Sequence, residues 1–211
     1  MTLYQHYKKK NYKLLGIAKH SETLEDLAVY EALYPNEASK LWVRPKAMFF
    51  DQIELGGVKS ARFKELKPQI KVLENPPPED LLSISNFVQT IFTDLDLEKI
   101  QERLQGKKNI LVLTAELDGV LCAFKFGYQE SEETFYSWLG AVHPDYRGLR
   151  IASVLMQAQH NWCKSAGFKK VRTKSQNQYK AMIKLNLNFG FDVTGTEESD
   201  RGLKIILEKI L

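Results

Sequence analysis

Apolar and polar positions change rhythm along this chain. From Tyr12 to Arg44 the apolar residues fall in short runs, 12–18, 26–34 and 41–44, with the β-branched and aromatic content of strands. Breakers stand between and after them: His20-Ser21-Glu22-Thr23, Pro35-Asn36-Glu37 and Gly56-Gly57. This texture predicts a small β-rich module, an antiparallel sheet or barrel, over residues 1–66. Residues 70–73 predict one more strand. Pro76-Pro77-Pro78 then reads either as a linker or, the reading preferred here, as the entry to a helix that opens on proline and carries Glu79 and Asp80 where the helix dipole is positive. The boundary is therefore expected near Lys67-Pro68, with a second domain over 67–211.

Within that domain the pattern predicts helices at 79–92 and 97–104 and a strand at 109–117. An Asp118-Gly119 turn leads to strands at 120–128 and 134–142. Ile151, Val154, Leu155, Ala158 and Trp162 recur at spacings of three and four, the buried face of a helix that Gly167 stops. A strand at 168–173 follows, then a helix over 177–191 with Met182, Leu185, Asn186 and Phe189 on one face. Strands at 191–194 and 203–207 flank the polar loop 197–202. The order β-α-α-β-β-β-α-β-α-β-β is that of a mixed α/β domain.

Composition narrows the partners. The chain is 44% hydrophobic and 27% charged, enough apolar side chain for a core. Its 30 basic and 26 acidic residues nearly cancel, leaving a formal charge of +4 and no block of five like charges, so a nucleic-acid partner is not indicated. No apolar run is long enough to span a membrane, and residues 1–7 lack the apolar stretch of a signal peptide. Cys122 and Cys163 lie in apolar surroundings, as reduced packing thiols do. A cytoplasmic location is expected, no metal-ligand spacing appears, and the oligomeric state, including a homodimer, stays open.

Candidate chemistry concentrates in Val142-His143-Pro144-Asp145-Tyr146-Arg147-Gly148-Leu149-Arg150-Ile151-Ala152, a strand end, a loop and a helix start. The first amides of a helix have no internal partner, and the macrodipole is positive there, so phosphate oxygens are welcome. Arg147 and Arg150 would each oppose that dipole by a few tenths of a kcal/mol, a sign that a bound anion reverses. The alternative is that both simply point into solvent.

The block resembles the pyrophosphate loop of the GNAT superfamily of acetyl-CoA-dependent N-acetyltransferases, whose pattern is Arg or Gln, two residues, Gly, one residue, Gly or Ala. Arg147 and Ala152 match it, whereas Arg150 stands where the family usually has glycine. The order of elements from Ile70 to Leu211 is similar to the family fold as well. The resemblance implies a central sheet in which two neighbouring strands splay apart around the cofactor. It implies acetyl-CoA as co-substrate, with Ala141 and Val142 along its pantetheine and Arg147, Gly148, Leu149, Arg150, Ile151, Ala152 and Asn177 among its binding residues. It further implies acetyl transfer to a primary amine of a small molecule or protein.

In many members a tyrosine four residues before the Gly190-Phe191 pair protonates the leaving thiolate, but Asn186 occupies that position. An amide there can bond the cofactor but cannot serve as an acid; Tyr179, nearly two turns upstream on the same helix, is one alternative acid and water is another, although an aromatic there is more often core. Acids at Asp94, Asp96, Glu98, Glu130, Glu132, Glu133, Glu197, Glu198 and Asp200 suggest a cationic acceptor, or merely solvated loops. Residues 1–66, with His20-Ser21-Glu22-Thr23 and Leu41-Trp42-Val43-Arg44-Pro45, resemble a small bacterial domain family of unknown function. The rival to an enzyme is a degenerate GNAT-like domain within a ligand- or peptide-binding protein, an idea that rests on Arg150 and Asn186.

Overall fold

A computed structural model describes residues 2–200 and 202–211 as two compact units, one up to Lys67 and the other from Pro68 onward. Met1, and Arg201 in the polar loop expected at 197–202, lie outside the described residues.

The first unit is a five-stranded antiparallel sheet in the order β4-β3-β2-β1-β7, with β1 Thr2–His6, β2 Asn11–Lys19, β3 Asp26–Ala32, β4 Leu41–Pro45 and β7 Phe63–Leu66. A one-turn helix α1, Lys46–Phe49, and a separate hairpin of β5, Gln52–Leu55, and β6, Val58–Ala61, complete it. The sheet does not close into the barrel that was the alternative expectation, since β4 and β7 are its unjoined edges. Strand β1, absent from the hydropathy reading, sits between β2 and β7. One face carries an aromatic core of Tyr4, Tyr30, Phe49 and Phe63, with Tyr12, Leu14 and Trp42 packed against it.

The second unit is a seven-stranded mixed sheet in the order β13-β14-β12-β11-β10-β9-β8. Its strands are β8 Gln69–Glu74, β9 Leu111–Leu117, β10 Val120–Gln129, β11 Thr134–Val142, β12 Lys170–Ser175, β13 Asp192–Glu197 and β14 Lys204–Ile210. Helices α2, Pro78–Gln89, and α3, Leu97–Leu104, bury Leu81, Ile84, Val88, Ile100 and Leu104 against Val112, Phe124, Phe126, Tyr128 and Tyr136. Each such side chain removed from water contributes about 1.5–3 kcal/mol. Pro78 occupies the first turn of α2, and Asp96 caps α3 by accepting from the Lys99 N–H at 3.0 Å.

Helix α4, Ile151–Ser165, packs against β9, β10 and β11, and α5, Lys180–Asn188, follows a 3₁₀ turn at Asn177–Tyr179. The helix expected over 177–191 is thus shorter. The buried face of α4 also differs from the hydropathy reading. Val154 is exposed, and the face is formed by Ile151, Leu155, Met156, Gln159, His160 and Cys163. Two polar residues share that buried arc, and no apolar periodicity selects them.

Covering the sheet from this side also buries Lys125 of β10. Burial pushes its amine down from 10.5 to about 8, and pushes the His160 imidazole down to about 4 with Lys209, Lys125 and Lys164 adding repulsion. Burial likewise raises the Cys122 thiol to about 11 and the Cys163 thiol to about 12, so both stay protonated. The unfolded chain holds the lysine proton up to its ordinary 10.5, the folded chain only to about 8, so stability rises with pH between those values and the full cost applies below them. At ~1.4 kcal/mol per unit that cost is about 3 kcal/mol. Lys125→Met is therefore expected to stabilise the chain by about 3 kcal/mol at pH 7 in urea unfolding, with the gain shrinking above pH 8 and closing near pH 10.5.

Candidate functional site

Strands β11 and β12 are parallel neighbours for three residues only, Thr134↔Lys170 to Tyr136↔Arg172. One residue further, Thr173 Oγ1 donates to the Ser137 carbonyl at 2.8 Å. From there the strands part, and β11 runs on to Val142 paired to β10 alone. The register between β10 and β11 slips where Phe126↔Leu139 gives way to Gly127↔Ser137, leaving Trp138 as a bulge residue at the point of divergence.

The gap opens into a slot lined by Lys125, Gly140, Ala141, Val142, Ala152, Leu155, Met182 and Leu185, with Phe124 at its edge. Small residues decide its shape. A side chain at Gly140 would meet the Phe124 carbonyl at 3.2 Å and Lys125 Cγ at 3.3 Å, so the stem of Lys125 packs beside the glycine, and its amine is within electrostatic reach of Cys163 and His160 of α4. Lys125 is the one titratable side chain in this lining. The sequence did not single it out, because nothing in the local pattern of β10 announces that α4 covers that face.

The loop beyond Val142 turns through a 3₁₀ element, Pro144–Tyr146, that His143 caps from Nδ1. Gly148 and Arg150 then take left-handed backbone, φ 77° and 62°, before α4 begins. Among the described residues the amides of Gly148, Leu149 and Arg150 have no backbone partner, and they lead directly into the free N–H groups of the first α4 turn. Arg147 folds back, its Nε donating to the Val142 carbonyl at 3.2 Å, while Arg150 is exposed. The arginine in the family's glycine position thus adopts the backbone that glycine favours, at a cost of roughly 1–2 kcal/mol.

The remaining expected site residues separate. Ala141, Val142 and Ala152 line the slot, whereas Gly148, Leu149 and Arg150 form the loop before α4, which begins at the buried Ile151. Asn177 is exposed at the turn before α5. Asn186 is 2% exposed and follows Leu185, a lining residue, into the interior. Tyr179 is 48% exposed at the head of α5, neither core nor slot lining. Gln159 and His160 escaped the sequence reading: Gln159 is fully buried with both amide atoms unpartnered, and the His160 Nε2 is unpartnered too. Of the loop acids, Glu130 pairs with Arg172, Glu133 with Lys169 and Glu197 with Lys174, and Asp96 is a helix cap. These four already have structural work.

Solved structures share this architecture. The second unit is similar to Ard1 from Thermoplasma volcanium (20% identity, TM-score 0.58, 67% of this chain and 97% of that one) and to the ribosomal-protein-S18-alanine N-acetyltransferase of Escherichia coli (19%, 0.56, 68% and 94%). It is also similar to yncA from Salmonella typhimurium, solved with its cofactor acetyl-CoA (17%, 0.51, 67% and 94%). No curated protein gives a significant match. Residues 2–65 match a family described only as a protein of unknown function (DUF1653). Residues 78–191, more than half of the chain, match the acetyltransferase (GNAT) family, and they carry the parted strands, the slot and the arginine loop: the chain belongs to that family.

Proposed function

We propose that the second unit transfers the acetyl group of acetyl-CoA to a primary amine. One observation carries this reading: the unpaired edge of β11 leads, through the loop over 143–150, into a helix N-terminus whose preceding amides are uncommitted. The residues present suit the cofactor. Gly140, Ala141 and Ala152 leave room for a slender chain between β11, α4 and α5, and the open backbone of β11 can bond its amides. The loop amides, the α4 dipole, Arg147 and Arg150 together favour a diphosphate.

When bound, acetyl-CoA supplies an activated acyl group. The protein's part is to hold it, to stabilise the oxyanion that develops on attack, and to deliver a proton to the departing thiolate. A backbone N–H on the open edge of β11 serves the oxyanion and needs no special side chain. Asn186 offers no transferable proton. Lys125, on the slot wall and with a proton that leaves near pH 8, fills that role. The acceptor amine must be neutral to attack. Against the degenerate alternative, Arg150 preserves the left-handed backbone of the loop.

Calorimetric titration with acetyl-CoA should show one-to-one binding, weakened roughly ten- to a hundredfold by Arg147→Ala and retained in Arg150→Gly. A chain that binds no acetyl-CoA would sink the proposal. In steady-state assays with amine acceptors, Lys125→Met should lower kcat by about a hundredfold or more with little change in the KM for acetyl-CoA. The unmutated enzyme should lose kcat as pH rises past about 8, where the ammonium gives up its proton. Tyr179→Phe should be indistinguishable from the unmutated enzyme, and an unaltered kcat in Lys125→Met would hand the proton transfer to water.

A further inference from the structure

Several charges in the first unit are paired. Glu31 pairs with Lys13 and Lys40, Asp26 with Lys19 and Lys46, and Glu65 with Lys67. Arg44, Arg62, Lys8 and His6 make no ion pair among the described residues. They nevertheless lie close together. Burial first, and then the repulsion of all three permanent cations, hold the His6 imidazole below its ordinary value.

Their placement follows from the strand register. Pairing Tyr30↔Trp42 and Ala28↔Arg44 puts Arg44 on the aromatic face, where its guanidinium sits 5.7 Å from the Phe63 ring. His6, paired with Phe63 across β1 and β7, lies 4.8 Å from the same ring. The His6 Nδ1 accepts from the Lys8 N–H at 3.4 Å, which leaves the proton of the neutral ring on Nε2 as a donor. Arg62 stands just before β7 with its Nε buried and without a partner. A buried guanidinium N–H left unsatisfied destabilises the fold. Half-buried aromatics adjoin the cluster. The Tyr7 ring leans on His6 at 4.2 Å, and the Tyr12 hydroxyl meets that of Tyr34 at 2.6 Å.

We propose that this cluster is a binding site for the phosphate of a small organic phosphomonoester, a function separate from acetyl transfer and independent of that reading. Two guanidinium forks present parallel N–H donors to an oxyanion, and three permanent cations without a counter-ion match a dianion better than a carboxylate. The neutral His6 adds an Nε2 donor, and the flanking tyrosines give the organic portion an apolar surface with hydroxyls at its rim.

The test is a nitrogen-15 NMR titration of the full chain with phenyl phosphate at constant ionic strength, following the Arg62 Nε–H resonance and the pH titration of His6. The expected result is a saturable one-to-one shift of the Arg62 signal and a rise in the pKa of His6, because the anion cancels the field of its neighbours. Arg44→Lys and Arg62→Lys keep the charge but lose the fork, and each should weaken binding about tenfold. Lys8→Gln, at an exposed position remote from the core, should weaken it less. No saturable shift in the unmutated chain, a shift unaltered by both lysine substitutions, or benzoate binding as tightly as phenyl phosphate would each overturn the proposal.

Discussion

The second unit depends on how briefly β11 and β12 stay together. Three paired residues and the Thr173–Ser137 bond hold the sheet closed at one end, and everything functional follows from their separation beyond it. An interior strand that stops pairing leaves its N–H and C=O groups facing a gap, and each such group costs on the order of 1–3 kcal/mol if buried without a partner. A fold retains such an edge only where water or a ligand meets it. The bulge at Trp138 and the bare backbone of Gly140 direct the edge into the slot.

The same separation explains the loop. Because β11 and β12 are parallel, the chain must cross between their opposite ends, and α4 makes that crossing. Its N-terminus therefore lies just beyond Val142, at the mouth of the gap, so the positive end of the dipole and the uncommitted amides arrive there by topology. Arg147 and Arg150 intensify a field that already disfavours cations. An arrangement that is unfavourable when empty and favourable around a diphosphate is what an anion site requires.

Much of this was legible in the sequence. Turn chemistry and helical periodicity placed nearly every element of the second unit, because a strand such as 111–117 or a helix such as 78–89 announces itself through its own residues. Two kinds of feature were not. Strand β1, Thr-Leu-Tyr-Gln-His, is too short and polar to stand out, and it belongs to the sheet only because β2 and β7 bracket it. Lys125, Gln159 and His160 are polar residues at positions that become interior only when α4 settles on β10, so their burial is a property of the tertiary contact. Asn186 stood out through the family pattern, but its place beside the slot needed the fold.

Those polar residues cost stability where they are buried. A lysine on β10 could be replaced by an apolar side chain with a gain in folding free energy, as could the unpartnered amide of Gln159. Arg172 behaves differently. That guanidinium is bonded to Glu208 at 2.6 Å and to Glu130 at 2.9 Å, tying β12 to β14 and to the loop after β10, and its charge is fully used in holding strands together. Lys125 in the second unit and Arg44 and Arg62 in the first are drawn from water without such a partner. In a chain whose basic and acidic residues nearly balance, counter-ions are not scarce. Cations that remain partly buried and unpaired are then better explained by what they bind or donate to than by what they hold together.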